Sequence, residues 1–282
     1  MKRNILLISA AIVLSILWLP AADEFIPRPP VAKKVPRELV MHGHARVDEY
    51  YWLNQRQDPE VIAYLQAENA FTDAVMRPQA ALREALYKEM VARMQQSDMS
   101  VPYFENGFWY YTRFEKGKDY PVYCRKKKSM KGTEQVLLDG NRMAAGEKYF
   151  HIGSFAVSPD NATLAYSVDT VSRRQYRLRF RCLKTGKEYA EEIRMTAGRM
   201  AWAGDSRTVF YPVIDPETLR SCKVMRHRLG APAETDVTAY EEKDETFDVG
   251  IGLSRSRRFL LLASRSTLSD EYRVLDLSLI HI

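Results

Sequence analysis

The sequence predicts a mainly β protein, a partial β-propeller of about four blades preceded by a helical amino-terminal extension. Two observations predict it. A turn-and-strand unit recurs three times, at offsets of 45 and 51 residues, and the texture of the chain changes near Met99 from helical periodicity to short aromatic and β-branched runs. The copies are Ser158-Pro159-Asp160-Asn161-Ala162-Thr163-Leu164-Ala165-Tyr166, Ala203-Gly204-Asp205-Ser206-Arg207-Thr208-Val209-Phe210-Tyr211 and, more loosely, Ser254 to Leu262. Each is followed by a charged linker and a second strand: Gln175 to Cys182, Lys223 to Leu229 and Tyr272 to Leu277. A period of about 40 to 50 residues holding several strands marks a propeller, one repeat to a blade. A β-sandwich with chance similarity is the competing architecture.

The chain has 282 residues, 46% of them hydrophobic and 28% charged, which excludes disordered, collagen-like and coiled-coil classes. Its formal charge of +6 is spread, with acids and bases alternating rather than forming a stripe, so a nucleic-acid partner is not expected. Residues 1–22 have the plan of a secretory signal: Lys2 and Arg3, an apolar run from Ile5 to Leu19, then Pro20-Ala21-Ala22. The run is shorter than the roughly 20 residues that a spanning helix needs, which favours a cleaved signal and export to a bacterial periplasm or the extracellular space. Pro20 is a poor residue upstream of the cut. A membrane association is therefore expected only if the signal stays as an uncleaved anchor.

Residues 23–98 read as a proline-rich strap and a helical extension. Pro27, Pro29, Pro30 and Pro36 favour extended chain. Asp58-Pro59 supplies an N-cap and a first-turn proline, after which Val61, Tyr64, Leu65, Phe71 and Val75 recur at helical spacing. Arg77-Pro78 breaks this helix, and Leu82, Ala85, Leu86, Met90, Val91 and Met94 form the stripe of a second, its methionines read as core filler. Residues 99–282 read as the partial propeller, opening with a hairpin turned at Asn106-Gly107.

A serine hydrolase on an α/β scaffold presents its nucleophile in Gly-x-Ser-x-Gly, and no such motif occurs. The nearest miss, Gly204-Asp205-Ser206-Arg207-Thr208, lacks the second glycine and falls in a repeat turn. His42-Gly43-His44 has no acidic or cysteine cluster beside it, and Cys124, Cys182 and Cys222 form no Cys-x-x-Cys pair, so neither metal nor cofactor is expected. The thiols read as unpaired and partly buried. Arg125 to Lys128 reads as a charged sheet edge that blunts aggregation. Asn161-Ala162-Thr163 fits the glycosylation pattern by chance. No catalytic, substrate-binding or metal-binding residue is assigned.

The run from His42 to Leu53, with its Asp48-Glu49-Tyr50-Tyr51-Trp52-Leu53 core, resembles the amino-terminal signature of oligopeptidase B, in the prolyl oligopeptidase family of serine peptidases. Four further segments agree in order: Pro59 to Asn69, Ser172-Arg173-Arg174-Gln175-Tyr176 with Arg179-Phe180, Gly230 to Ala233, and Tyr240 to Thr246. The resemblance implies a helical extension, a seven-bladed propeller and a carboxy-terminal α/β-hydrolase domain, of which only the amino-terminal part is here. It implies cleavage of short peptides after Lys or Arg by a Ser, Asp and His that lie in the absent domain, with the propeller gating access. The chain by itself is then expected to be inactive. Leu279 to Ile282 departs from the family pattern, which suggests a truncated frame. A stand-alone secreted propeller that binds a peptide or protein is the alternative.

Overall fold

The computed structural model describes residues 28–279 and divides into two compact units, Met1–Met94 and Gln95–Ile282. The expected signal lies outside the described residues. Among those described, no helix is long and apolar enough to cross a membrane.

In the first unit, an extended strap leads into the hairpin β1 (Arg37–Met41) and β2 (His44–Asp48), then α1 (Pro59–Met76) and α2 (Ala80–Ala92). Asp58 caps α1 by accepting the Glu60 N–H at 2.8 Å, and Pro59 spends its missing N–H where no helical partner exists. The Asp48 to Leu53 signature works as a staple. Asp48 accepts the Tyr50 N–H at 2.9 Å, and the Trp52 indole donates to the Lys33 carbonyl at 2.9 Å while packing edge-on against Tyr64 of α1. The expectation of core methionines fails here. Met90 and Met94 are exposed, as are Leu82 and Leu86, because within the described residues of this unit the stripe of α2 meets no second layer.

Among the described residues the second unit holds four antiparallel blades. The first is β3 (Tyr103–Glu105), β4 (Phe108–Arg113), β5 (Val122–Lys127) and β6 (Glu134–Asp139). The second is β7 (His151–Val157), β8 (Thr163–Asp169), β9 (Tyr176–Cys182) and β10 (Glu188–Thr196). The third is β11 (Ala201–Trp202), β12 (Thr208–Ile214), β13 (Ser221–Arg228) and β14 (Val237–Glu241). The fourth has three described strands, β15 (Asp248–Leu253), β16 (Phe259–Arg265) and β17 (Asp270–Asp276). The second and third blades join in one sheet through the Thr196–Val213 pair.

The repeat is structural. In all three copies the first residue donates to the residue five on, Ser158 to Thr163, Ala203 to Thr208 and Ser254 to Phe259, each at 2.8 Å. The fourth residue of each, Asn161, Ser206 and Arg257, is left-handed, with φ of 63°, 58° and 60°. Asn106 and Gly107 turn the first hairpin with φ of 45° and 85°, as an Asn-Gly pair is suited to do.

Among the described residues the core consists of three layers between neighbouring blades and a smaller cluster of Tyr111, Val122 and Cys124 on the first blade. Tyr110, Leu137 and Leu138 meet Leu164, Tyr166 and Val168; Leu178 and Phe180 meet Trp202, Val209 and Tyr211; Phe210 and Val224 meet Val249, Ile251, Leu260 and Leu262. Alternate residues of β8 and β12 therefore face opposite layers, which is why all of β8 and nearly all of β12 are buried.

Candidate functional site

The innermost strands β3, β7, β11 and β15 end around a cavity of about 240 Å³. All four blades contribute to it: Tyr103 and Glu105, Phe155 and Pro159, Trp202, and Leu253 with Arg257. Tyr103 stacks on Tyr110 at 5.4 Å between centroids, and the Trp202 indole is aimed by a 3.0 Å bond to the Ala156 carbonyl. Partial burial raises the Tyr103 hydroxyl's pKa above its ordinary value. Glu105 and Arg257 form an ion pair that links the first blade to the fourth. With aromatic walls, one carboxylate and one guanidinium, the cavity is equipped to bind a chain segment.

Ser206, the nearest miss to a nucleophile, sits in its repeat turn with its hydroxyl accepting the Asp160 N–H at 3.0 Å, a bond that ties the second blade to the third. His42 and Gly43, with φ of 53° and 80°, turn the β1–β2 hairpin, and His44 lies exposed on β2. Among the described residues no three His, Cys, Asp or Glu gather as a metal-binding group. The cysteines are free. Burial pushes the Cys124 thiol up to about 11, whereas hydrogen bonds from Thr185 lower that of Cys182.

A second sequence expectation is corrected. Arg125 is not an edge charge: β5 pairs on both sides, with β4 and β6, and Arg125 is 2% exposed. Its guanidinium reaches across to the turn of the second blade, at Asn161. The Asn161 amide is committed there as well, donating to the Asn106 carbonyl at 3.2 Å. These bonds connect residues far apart in the chain, so no local pattern announced them.

The periodicity also missed a buried polar group. His227, wholly buried, stacks on Phe180, and its Nδ1 lies 2.8 Å from Asp236, which also accepts from the Tyr211 hydroxyl at 2.6 Å. Burial first, and then the Asp236 carboxylate, raise the Tyr211 pKa. This is the histidine-carboxylate half of a catalytic relay, but no hydroxyl meets Nε2, whose polar neighbour is Glu191 at 3.8 Å. Its role is to tie β12, β13 and the segment before β14 together.

Between the third and fourth blades, Glu242 accepts from the Ser264 hydroxyl and, at 2.7 Å, from the Tyr240 hydroxyl. These bonds hold its pKa down at about 2, from an ordinary 4.5. A depressed carboxylate stabilises the fold fully above its unfolded value and ceases to do so as pH falls through the folded one. Stability should therefore drop between pH 4.5 and 2, and Glu242→Gln should flatten that limb. Chemical denaturation at several pH values measures it, and parallel acid limbs for the two proteins would disprove it.

Residues 29–279 match the family model described as the prolyl oligopeptidase N-terminal β-propeller domain. The chain is 44% identical to dipeptidyl aminopeptidase BI of Pseudoxanthomonas mexicana over 97% of its own length and 40% of that protein's. It is 35% identical to protease 2 of Moraxella lacunata, over 88% of this chain and 37% of the relative. Among solved structures, oligopeptidase B from Leishmania major superposes with a TM-score of 0.81 at 30% identity, covering 89% of this chain and 38% of that one. Oligopeptidase B from Trypanosoma brucei gives 0.79 at 32% identity, with the same coverages. The chain thus spans about two fifths of the length of the relatives it matches.

Proposed function

The chain belongs to the prolyl oligopeptidase family, and on that premise we propose that it is the amino-terminal extension and propeller of a longer serine peptidase that cleaves short peptides after Lys or Arg. The observation that carries this reading is the match of residues 29–279 to the propeller of a peptidase family, within relatives more than twice as long.

In this reading bond breaking belongs to an α/β-hydrolase part outside the chain. There a serine forms an acyl-enzyme with histidine as general base. The propeller's contribution is access. A cavity of about 240 Å³ walled by Tyr103, Phe155 and Trp202 accommodates a few side chains of an extended peptide and no folded domain, and the Glu105–Arg257 pair narrows it further. We also propose export, on the strength of Lys2, Arg3 and the apolar run Ile5 to Leu19. Amino-terminal sequencing of the mature protein tests it, with retention of Met1 the contrary result.

A second reading is favoured by the 44% relative, whose name is that of a dipeptidyl aminopeptidase. It places the cut two residues from a free amino terminus. The two readings separate in one assay on the natural protein that carries this chain, using Arg and Lys reporter amides with the amino terminus free or blocked. Inhibitor-sensitive cleavage of the blocked tripeptide amide is the expected result. Cleavage confined to free dipeptide amides favours the second reading. No serine-inhibitor-sensitive cleavage of either leaves a binding propeller as the function.

A further inference from the structure

A groove of about 560 Å³ runs between the first and second blades, where the β3–β4, β7–β8 and β9–β10 turns gather. Four cations line it, Arg125, Lys127, Lys128 and Lys184, against one acid, Asp160. The Asp160 carboxylate is engaged in its own turn, accepting from the Ser158 hydroxyl at 2.5 Å and the Ala162 N–H at 3.0 Å. The three lysines are exposed, and among the described residues none has an ion-pair partner.

Arg125 is the decisive group. Among the described residues it is the one buried arginine, and its guanidinium donates to Gln135 Oε1 at 2.8 Å, Asn161 Oδ1 at 3.1 Å, the Tyr110 hydroxyl at 3.3 Å and the Asn161 carbonyl at 3.4 Å. The Phe108 ring lies 3.9 Å away. Every partner is neutral. Arg113, Arg181 and Arg258, all less buried, each have a carboxylate: Glu134, Glu188 and Asp276. A charge withdrawn from water without a counter-charge is costly, and its field reaches farther through protein than through solvent. The fold pins this cation, by four neutral bonds, beneath a groove whose rim adds three more.

We infer that this groove is an oxyanion site that takes a phosphate-type dianion, its charge met from below by Arg125 and from the rim by Lys127, Lys128 and Lys184. A tetrahedral dianion accepts from several donors at once, which suits this set better than a single carboxylate does. The inference stands apart from the peptidase reading: none of the four cations lines the inner cavity, which meets the groove at Asn106 and at Tyr110, the hydroxyl beneath Arg125.

The test uses the natural protein that carries this chain, in phosphate-free buffer, titrated calorimetrically with inorganic phosphate against chloride at matched ionic strength. Saturable phosphate binding is expected, weakened at least about tenfold in the triple variant Lys127→Gln, Lys128→Gln, Lys184→Gln, whose exposed changes leave the fold intact. A phosphoserine peptide and its unphosphorylated twin separate the two sources of the group: tighter binding of the phosphopeptide than of phosphate identifies a peptide-borne phosphoryl group, and no such gain identifies the free ion. Absence of saturation beyond chloride, or equal affinity in the triple variant, overturns the site.

Discussion

Expressed as its 282 residues alone, the chain should release no reporter from an arginyl amide at a rate that a serine-directed inhibitor abolishes. Against the longer peptidase proposed above, the expected deficit is at least about 10⁶-fold, the scale on which loss of a whole triad is felt. The side chains described here give the reason. Ser206 spends its hydroxyl on the Asp160 N–H inside a turn, and His227 is sealed from solvent with Asp236 on one nitrogen and no hydroxyl on the other. Neither can take a proton from a nucleophile and pass it to a leaving amine. Inhibitor-sensitive turnover by the purified chain would refute this and return Ser206 to consideration.

The second large effect is on stability. Phe180→Ala should cost about 3 to 5 kcal/mol, the range for deleting a large buried side chain. Phe180 is fully buried at the layer between the second and third blades, edge-on to Trp202 at 6.0 Å and stacked on His227 at 5.3 Å. Its loss opens a void against the His227–Asp236–Tyr211 group, whose geometry the ring holds. For a unit of this size the thermal midpoint should fall by roughly 6 to 20 °C. Phe114→Ala, at an exposed position, should stay within about 0.5 kcal/mol and serves as the reference. Equal midpoints for the two variants would show that the inter-blade layers do not carry the stability of this unit.

The strands found from the sequence are mostly the two in the middle of each blade. Middle strands such as β8 and β12 face a blade on either side, so they are apolar at nearly every position and stand out. The outer strand β10 is rich in charge and largely uncovered, β14 is short and mostly exposed, and β11 has two residues, so none carries a strong period. The β1–β2 hairpin escaped for a related reason: its ten strand residues are nearly all exposed, and its His42-Gly43 turn read as a pair of histidines.

What could be read without the structure was local: the Asp58-Pro59 start of α1, the Asn106-Gly107 turn, and the turn-and-strand unit that repeats blade by blade. Each depends on backbone preferences and hydrogen bonds within about five residues, so the residue types record them directly. Tertiary structure alone decided which polar side chains went inside and what they met. Arg125 is buried because Asn161, 36 residues on, closes over it, and Glu105 meets Arg257 because four blades bring their inner ends together. A side chain's charge and size are written in the sequence, but its partner is set by packing between blades, and no periodicity reports that.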